Sequence, residues 1–220
     1  MERTFAIGDM HGCIRTFDAL LFNKIQIQKT DSIYCVGDYI DRGKSSKEVI
    51  DLILKLNAEG YHVYTLRGNH EQMMLDADSY DEAMDLWLKN GGKATMKSFE
   101  IDSLSDLPDK YLSFLMRTEF YLKKDNYIFV HAGLNFDIEN IFEDKDAMLW
   151  ARDFAPHQPA LGNQLLIHGH TPESLKYILN QKGNCINIDG ECVYTNSAHL
   201  CNLVGFDVNV RKFISISNCE

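Results

Sequence analysis

Apolar residues fall in short runs, and polar, glycine-bearing loops separate them. Residues 4–7, 32–36 and 61–66 form runs of strand length. A helical pattern follows the first over about 14–25 and the second over about 46–58. This strand–loop–helix alternation predicts a largely parallel sheet covered by helices. Residues 81 to about 117 read as helix-rich, interrupted at Asn90-Gly91-Gly92. Strand character returns at 127–130 and 165–167. The end of the chain reads as β-rich, with strands expected near 176–179, 185–188, 200–204 and 213–216. Residues 153–163, holding Pro156 and Pro159, are expected to form a surface loop. No repeat or Gly/Ser-rich linker divides the chain, so residues 1–220 are expected to fold as one domain.

The polar residues are not scattered. Five apolar runs end in Gly8-Asp9, Gly37-Asp38, Arg67-Gly68-Asn69-His70, His131-Ala132-Gly133 and His168-Gly169-His170. One Gly-Asp after a strand is usually a turn. Five such loops in register imply a shared site, because open α/β sheets bind ligands outside the carboxyl ends of their strands. The residues so delivered are Asp9, His11, Asp38, Asp41, Arg42, Arg67, Asn69, His70, His131 and His170. Carboxylates, an amide oxygen and imidazoles suit Mn, Fe or Zn, and the nitrogens argue against an all-oxygen calcium cage. So many donors fit two ions about 3.5–4 Å apart with a bridging carboxylate, for which Asp38 is the natural candidate.

Composition narrows the partners. With 32 acidic and 22 basic residues the formal charge is −10, which leaves no broad basic surface for nucleic acid. No apolar run approaches the roughly 18 residues that span a bilayer, and the start lacks a secretory apolar stretch. A cytoplasmic protein without a membrane partner is expected. The cysteines at 13, 35, 185, 192, 201 and 219 form no CxxC pair and are expected to be reduced thiols, with Cys13 a small core residue at a helix start. His62, His157 and His199 are assigned no role. The acidic stretch 76–85 reads as a solvated helix face, and Met73-Met74 as core.

The loop sequences themselves resemble a known family. Gly8-Asp9-Met10-His11-Gly12, Gly37-Asp38-Tyr39-Ile40-Asp41-Arg42-Gly43 and Arg67-Gly68-Asn69-His70-Glu71 are similar to the three signatures of the calcineurin-like metallophosphoesterases, in their phosphoprotein-phosphatase branch. His131-Ala132-Gly133 and His168-Gly169-His170-Thr171 stand where that family has its later histidines. Residues 67–74, Trp87 with Asn90-Gly91-Gly92, and Trp150-Ala151-Arg152 narrow the resemblance to small bacterial and bacteriophage serine/threonine phosphatases.

The resemblance implies a β-sandwich flanked by helices, in four α/β/β/α layers. It implies two divalent ions, Mn foremost with Fe or Zn as alternatives. Asp9 and His11 would hold the first ion, Asp38 both, and Asn69, His131 and His170 the second. His70 would be the general acid, oriented by Asp41, with Arg42 and Arg152 as phosphate clamps and Arg67 close by. His168 would be structural. The implied substrate is a phosphorylated protein, at serine or threonine and extending to tyrosine. A small phosphoester, such as a symmetrical dinucleoside polyphosphate, is the alternative, and a non-catalytic phosphate-binding module a third reading.

Overall fold

The computed structural model describes residues 2–153, 158–196 and 199–220. Its first sheet holds β1 (Thr4–Ile7), β2 (Ser32–Cys35), β3 (His62–Thr65), β8 (Asn202–Asp207) and β9 (Lys212–Ser217), in the order β3-β2-β1-β8-β9. β1, β2 and β3 run parallel, and β8 and β9 are added antiparallel. The second sheet, β4-β5-β6-β7, holds β4 (Tyr121–Lys124), β5 (Tyr127–Val130), β6 (Leu165–His168) and β7 (Cys185–Asn187). β5, β6 and β7 are parallel; β4 closes the edge antiparallel to β5.

Side-chain alternation along each strand divides the core into layers. Ala6 and Tyr34 face Phe129, Leu165 and Ile167 of the other sheet in one buried cluster. The Tyr34 and Phe129 rings stack at 4.1 Å between centroids. Phe5, Ile7, Ile33 and Cys35 point the other way. They meet α1 (Ile14–Ala19), α2 (Ser46–Ala58) and the helical stretch α3 (Asn69–Asp76), α4 (Asp81–Trp87), α5 (Lys93–Phe99) and α6 (Asp109–Arg117). On the far side, Ile128, Val130 and Leu166 pack with Met148 of α7 (Lys145–Trp150) and Leu161 of α8 (Gln158–Leu161). The result is the expected α/β/β/α layering. In α2, Val49, Ile50, Ile53 and Leu56 are buried at helical spacing, which fixes the face turned to the sheet.

Three expectations need correction. Residues 176–179 are not a strand but lie in α9 (Leu175–Asn180). Ser174 caps it by accepting from the Tyr177 amide at 3.2 Å, and only Ile178 is buried while Tyr177 and Leu179 are exposed. A four-residue apolar run has no period long enough to separate the two structures. The helical pattern over 14–25 splits: α1 gives way to a wide π turn at Leu20–Ile25, ended by Gln26 in a left-handed conformation. The expected loop at 153–163 contains α8; residues 154–157, including His157, lie outside the described residues. All six cysteines are free, Cys13 is buried at the start of α1, and Met73 and Met74 are buried. The acidic residues between 76 and 85 are exposed, but they are spread over the end of α3, the turn at Asp78 and α4 rather than one helix face. Among the described residues no helix is long and apolar enough to cross a membrane.

Candidate metal centre and active site

The loops after β1, β2, β3, β5, β6 and β7 converge at one end of the sandwich. Asp9, His11, Asp38, Arg42, Asn69, His70, Arg152, His170, Asp189 and Glu191 line one cavity of about 230 Å³. His131 lies immediately beneath it, its Nε2 3.5 Å from Asp38 Oδ1 and 3.0 Å from Asn69 Oδ1.

Backbone contacts lock the loops together before any side chain acts. The Met10 and His11 amides donate to the Asp38 carbonyl at 3.1 and 2.8 Å. Glu71 is fully buried, and its carboxylate accepts from the amides of Asp38 (2.9 Å), Tyr39 (2.8 Å), Ile40 (3.4 Å) and Gly68 (2.8 Å). It thereby ties the second loop to the start of α3. A Cβ at Gly68 would collide with Asp38 and with Glu71 Oε2, so only glycine permits this approach. His11, Asp38, Asp41, Arg42, His170 and Glu191 all have positive φ without being glycine. Strained backbone gathered at one place is the mark of a functional site.

Asp38 sits at the middle. Its Oδ2 lies 3.4 Å from His11 Nε2, and its Oδ1 faces His131. Two groups of donors share it: His11, Asp38 and His70, and Asp38, His131 and His170, with each group's ligand atoms within 4.8 Å of one another. The imidazoles are already turned for ligation. His11 Nδ1 donates to the Ile40 carbonyl at 2.8 Å and His131 Nδ1 to the Val36 carbonyl at 2.9 Å, which leaves both Nε2 lone pairs facing inward. Burial holds His11 and His131 below the ordinary imidazole range and brings His170 to about 3, so all three are neutral. Burial opposes ionisation of Asp38, but the imidazoles of His131, His70, His11 and His170 favour its carboxylate wherever they carry a proton, and its carboxyl lies below the usual range. His70, the one ring of the four raised above its ordinary value, keeps that charge to the highest pH.

The residues fit a cation. His131 Nε2, left with a lone pair, faces Asn69 Oδ1 at 3.0 Å, and a lone pair against an amide oxygen is no hydrogen bond. His170 Nδ1 contacts the same oxygen at 3.1 Å, while its buried Nε2 has no hydrogen-bond partner. Asp9 Oδ2 accepts from the His170 amide at 3.0 Å, whereas the buried Asp9 Oδ1 has no hydrogen-bond partner. Burial, then Asp189 and Asp38, pushes Asp9 well above the carboxylate range, an excess of negative charge that a divalent ion would relieve. Asp9 lines the cavity but stands outside both tight donor groups.

Beside this centre, His70 Nδ1 and Asp41 Oδ2 are 2.7 Å apart and both residues are buried. Asp41 also accepts from Trp87 Nε1 at 3.0 Å and from Thr95 Oγ1 at 2.6 Å. Burial would lower the His70 pKa, but the charge of Asp38 and the hydrogen bond to Asp41 raise it above the ordinary value. Burial raises the Asp41 carboxyl above its ordinary value, and the hydrogen bonds from His70, Thr95 and Trp87 oppose that rise and favour its ionised form.

Arg42 reaches the cavity with its Nη1 2.9 Å from His11 Nε2 and 3.7 Å from Glu191 Oε1. Gly91, at φ 118°, lets the turn between α4 and α5 press on the Arg42 backbone, where a Cβ would stand 2.7 Å from its nitrogen. Arg152 also lines the cavity and donates to the His170 carbonyl at 3.2 Å. Arg67 does not line the cavity. Its guanidinium caps the end of α6, donating to the carbonyls of Leu115 (3.3 Å), Met116 (2.9 Å) and Thr118 (3.3 Å). The expectation that placed it near the clamps is corrected: sequence adjacency to Asn69 and His70 carried no information on where a long side chain points. His168 ends β6 in register with Asn187, is buried, and is held at about 4 by burial.

Glu71, Trp87, Thr95, Asp189 and Glu191 were given no role from sequence. Asp189 was within reach of that reading, since the run 185–188 also ends in Asp-Gly.

The sequence profile of the calcineurin-like phosphoesterases matches residues 2–211. The asymmetrical bis(5'-nucleosyl)-tetraphosphatase PrpE of Oceanobacillus iheyensis is 27% identical, over 96% of this chain and 91% of its own. The serine/threonine-protein phosphatase 2 of Salmonella typhimurium is 31% identical over 68% of this chain and 67% of its own. The symmetrical bis(5'-nucleosyl)-tetraphosphatase of Nitrosospira multiformis is 30% identical over 59% of this chain, which matches only 43% of that protein. Among solved structures, a Saccharomyces cerevisiae serine/threonine phosphatase superposes with a TM-score of 0.64 at 16% identity, covering all of this chain and 81% of the other. The cold-active protein-tyrosine phosphatase of a psychrophilic Shewanella also scores 0.64 at 17% identity, covering 99% and 78%. Such likeness carries the fold alone.

Proposed function

The chain belongs to the calcineurin-like phosphoesterases and is a hydrolase, and on that premise we propose that it is a metal-dependent phosphomonoesterase acting on phosphoserine and phosphothreonine in proteins, extending to phosphotyrosine. The observation that carries the catalytic part is Asp38, one carboxylate shared by two groups of donors, the first of which includes His70, itself paired through Nδ1 with Asp41.

In this reading Asp9 and His11 would hold one divalent ion, Asn69, His131 and His170 the other, and Asp38 would contribute to both. Mn suits these donors best, with Fe or Zn as alternatives. When bound, two such ions neutralise the phosphoryl oxygens and make a water acidic enough to ionise near neutral pH. Arg42 and Arg152 bind the remaining oxygens through charge-assisted hydrogen bonds that strengthen as negative charge accumulates. His70, protonated and steadied through Nδ1 by Asp41, delivers its proton from Nε2 to the leaving alkoxide. No serine or cysteine is among the described residues lining the cavity, in keeping with direct transfer to water. Free cysteines fit a reducing, cytoplasmic setting.

A second reading takes the same site to a dinucleoside polyphosphate, and the full-length match to the Oceanobacillus enzyme favours it. Turnover of a phosphoserine peptide, p-nitrophenyl phosphate and diadenosine tetraphosphate by the Mn-loaded protein separates the two. Preference for the peptide supports the first; preference for the dinucleotide overturns it. Absence of metal-stimulated hydrolysis of all three would leave only a phosphate-binding module.

A further inference from the structure

The cavity wall beyond the proposed metal donors and His70 carries four charged side chains: Arg42, Arg152, Asp189 and Glu191. The two acids offset much of the charge of the two cations, Asp189 only in part because burial pushes it up to about 7. The positive charge offered to a substrate would therefore come mainly from a bound metal, and Glu191 sets how much this wall adds. Glu191 is the acid placed to matter most. Its Oε1 lies 3.7 Å from Arg42 Nη1, and its side chain is only 10% exposed. The Arg42 guanidinium also lies 5.5 Å over the Tyr194 ring, so both flanks of Arg42 are supplied by one loop.

That loop is built rather than slack. The Glu191 amide donates to Asp189 Oδ1 at 2.8 Å, and the Glu191 carbonyl accepts from Tyr194 at 3.2 Å and Cys201 at 3.1 Å. These bonds hold the residue at a φ of 49°, which costs energy for a side chain with a Cβ. Neither hydrogen bonds nor left-handed backbone depend on the carboxylate, so its charge can be removed without removing the loop.

A terminal phosphoryl group brings a charge of about −1.5 to −2. A polyphosphate chain adds roughly one more negative charge for every further phosphoryl group. In about 230 Å³ that added charge lies close to the Glu191 carboxylate, and the guanidinium nearest to it is already partly neutralised. Like charges in a partly desolvated cavity discriminate strongly between ligands.

We propose that Glu191 is a specificity-determining residue whose carboxylate, fixed against Arg42, selects substrates with a single phosphoryl group and disfavours polyphosphate chains. The proposal rests on the catalytic reading above and names its substrate class.

The test compares the wild type with Glu191→Gln, which keeps shape and backbone bonds, and with Glu191→Ala as a second variant. Each is loaded with Mn, with free metal held in excess. The kcat/KM ratio of diadenosine tetraphosphate to p-nitrophenyl phosphate is expected to rise about tenfold in both variants. By calorimetry, tripolyphosphate affinity is expected to rise about tenfold relative to orthophosphate. An unchanged ratio in both measurements overturns the proposal, and so does a loss of affinity for both anions together, the signature of a residue that only holds the loop. The calorimetric ratio needs no turnover. Failure of the wild type to hydrolyse any phosphoester would therefore sink the catalytic reading while the binding ratio still judged Glu191.

Discussion

Thr95→Val removes one hydroxyl and keeps the shape of the side chain. Thr95 is fully buried, donates to Asp41 Oδ1 at 2.6 Å and accepts from the Asp41 amide at 2.8 Å. The amide keeps Ser46 Oγ at 3.1 Å, and the carboxylate keeps Trp87 and His70. The 3.1 Å bond between Thr95 Oγ1 and Ser46 Oγ goes too, but the largest single loss is the hydrogen bond to the charged carboxylate, worth about 1.5–3 kcal/mol. For a chain of this size that is a fall in melting temperature of roughly 3–12 °C. Catalysis should suffer selectively. With Oδ1 released, the carboxylate turns more freely, and the imidazole it orients loses its aim at the leaving group. Turnover of an alkyl phosphate should drop about tenfold, and of p-nitrophenyl phosphate much less, because a good leaving group needs little protonation. The assay is a thermal melt beside the two steady-state rates, with metal content measured on the same samples. A melting temperature within 1 °C of wild type, or equal rate losses on both substrates, would refute the reasoning.

Two further substitutions probe the acid and the support of Arg152. His70→Asn should retain metal while lowering kcat by about 10²–10⁴ for poor leaving groups and far less for an aryl phosphate, a split that equal losses would contradict. Asp144 caps α7, the helix leading to Arg152; its carboxylate accepts from the Ala147 amide at 2.9 Å and from Asn135 Nδ2 at 2.8 Å, which holds it below the usual range. A depressed folded pKa contributes stability above the unfolded value of about 3.9 that is lost as pH falls through the folded one. Asp144→Ala should thus cost about 1 kcal/mol in urea denaturation at pH 7, and the gap to wild type should shrink below about pH 4. A gap that does not depend on pH would show that the carboxylate charge is not involved.

Much of this architecture is legible in the chain because it rests on local rules. Apolar runs at 4–7, 32–36 and 127–130 could only be strands once each stopped at a glycine-flanked acid, amide or imidazole. The convergence of these loops then follows from the sheets, and the position of Asp38 from its loop after β2, which lies between the loops after β1 and β3. What escaped the reading depends on contacts far apart in sequence. Arg67 reaches α6 across 48–51 residues, and Trp87 and Thr95 reach Asp41 across 46 and 54. No spacing rule encodes such pairs. Glu71 stood inside a recognised motif, yet its task, accepting four amides from two loops, is visible only when the loops are folded together. α9 was misread because its buried face amounts to one side chain, Ile178.

Crystals grown with Mn and measured at the Mn absorption edge test the dinuclear assignment most directly. Two anomalous peaks about 3.5–4 Å apart are expected, with the Asp38 carboxylate between them. Asp9 and His11 should touch one peak, and Asn69, His131 and His170 the other. A single peak, or peaks lying outside this cavity, would contradict the account.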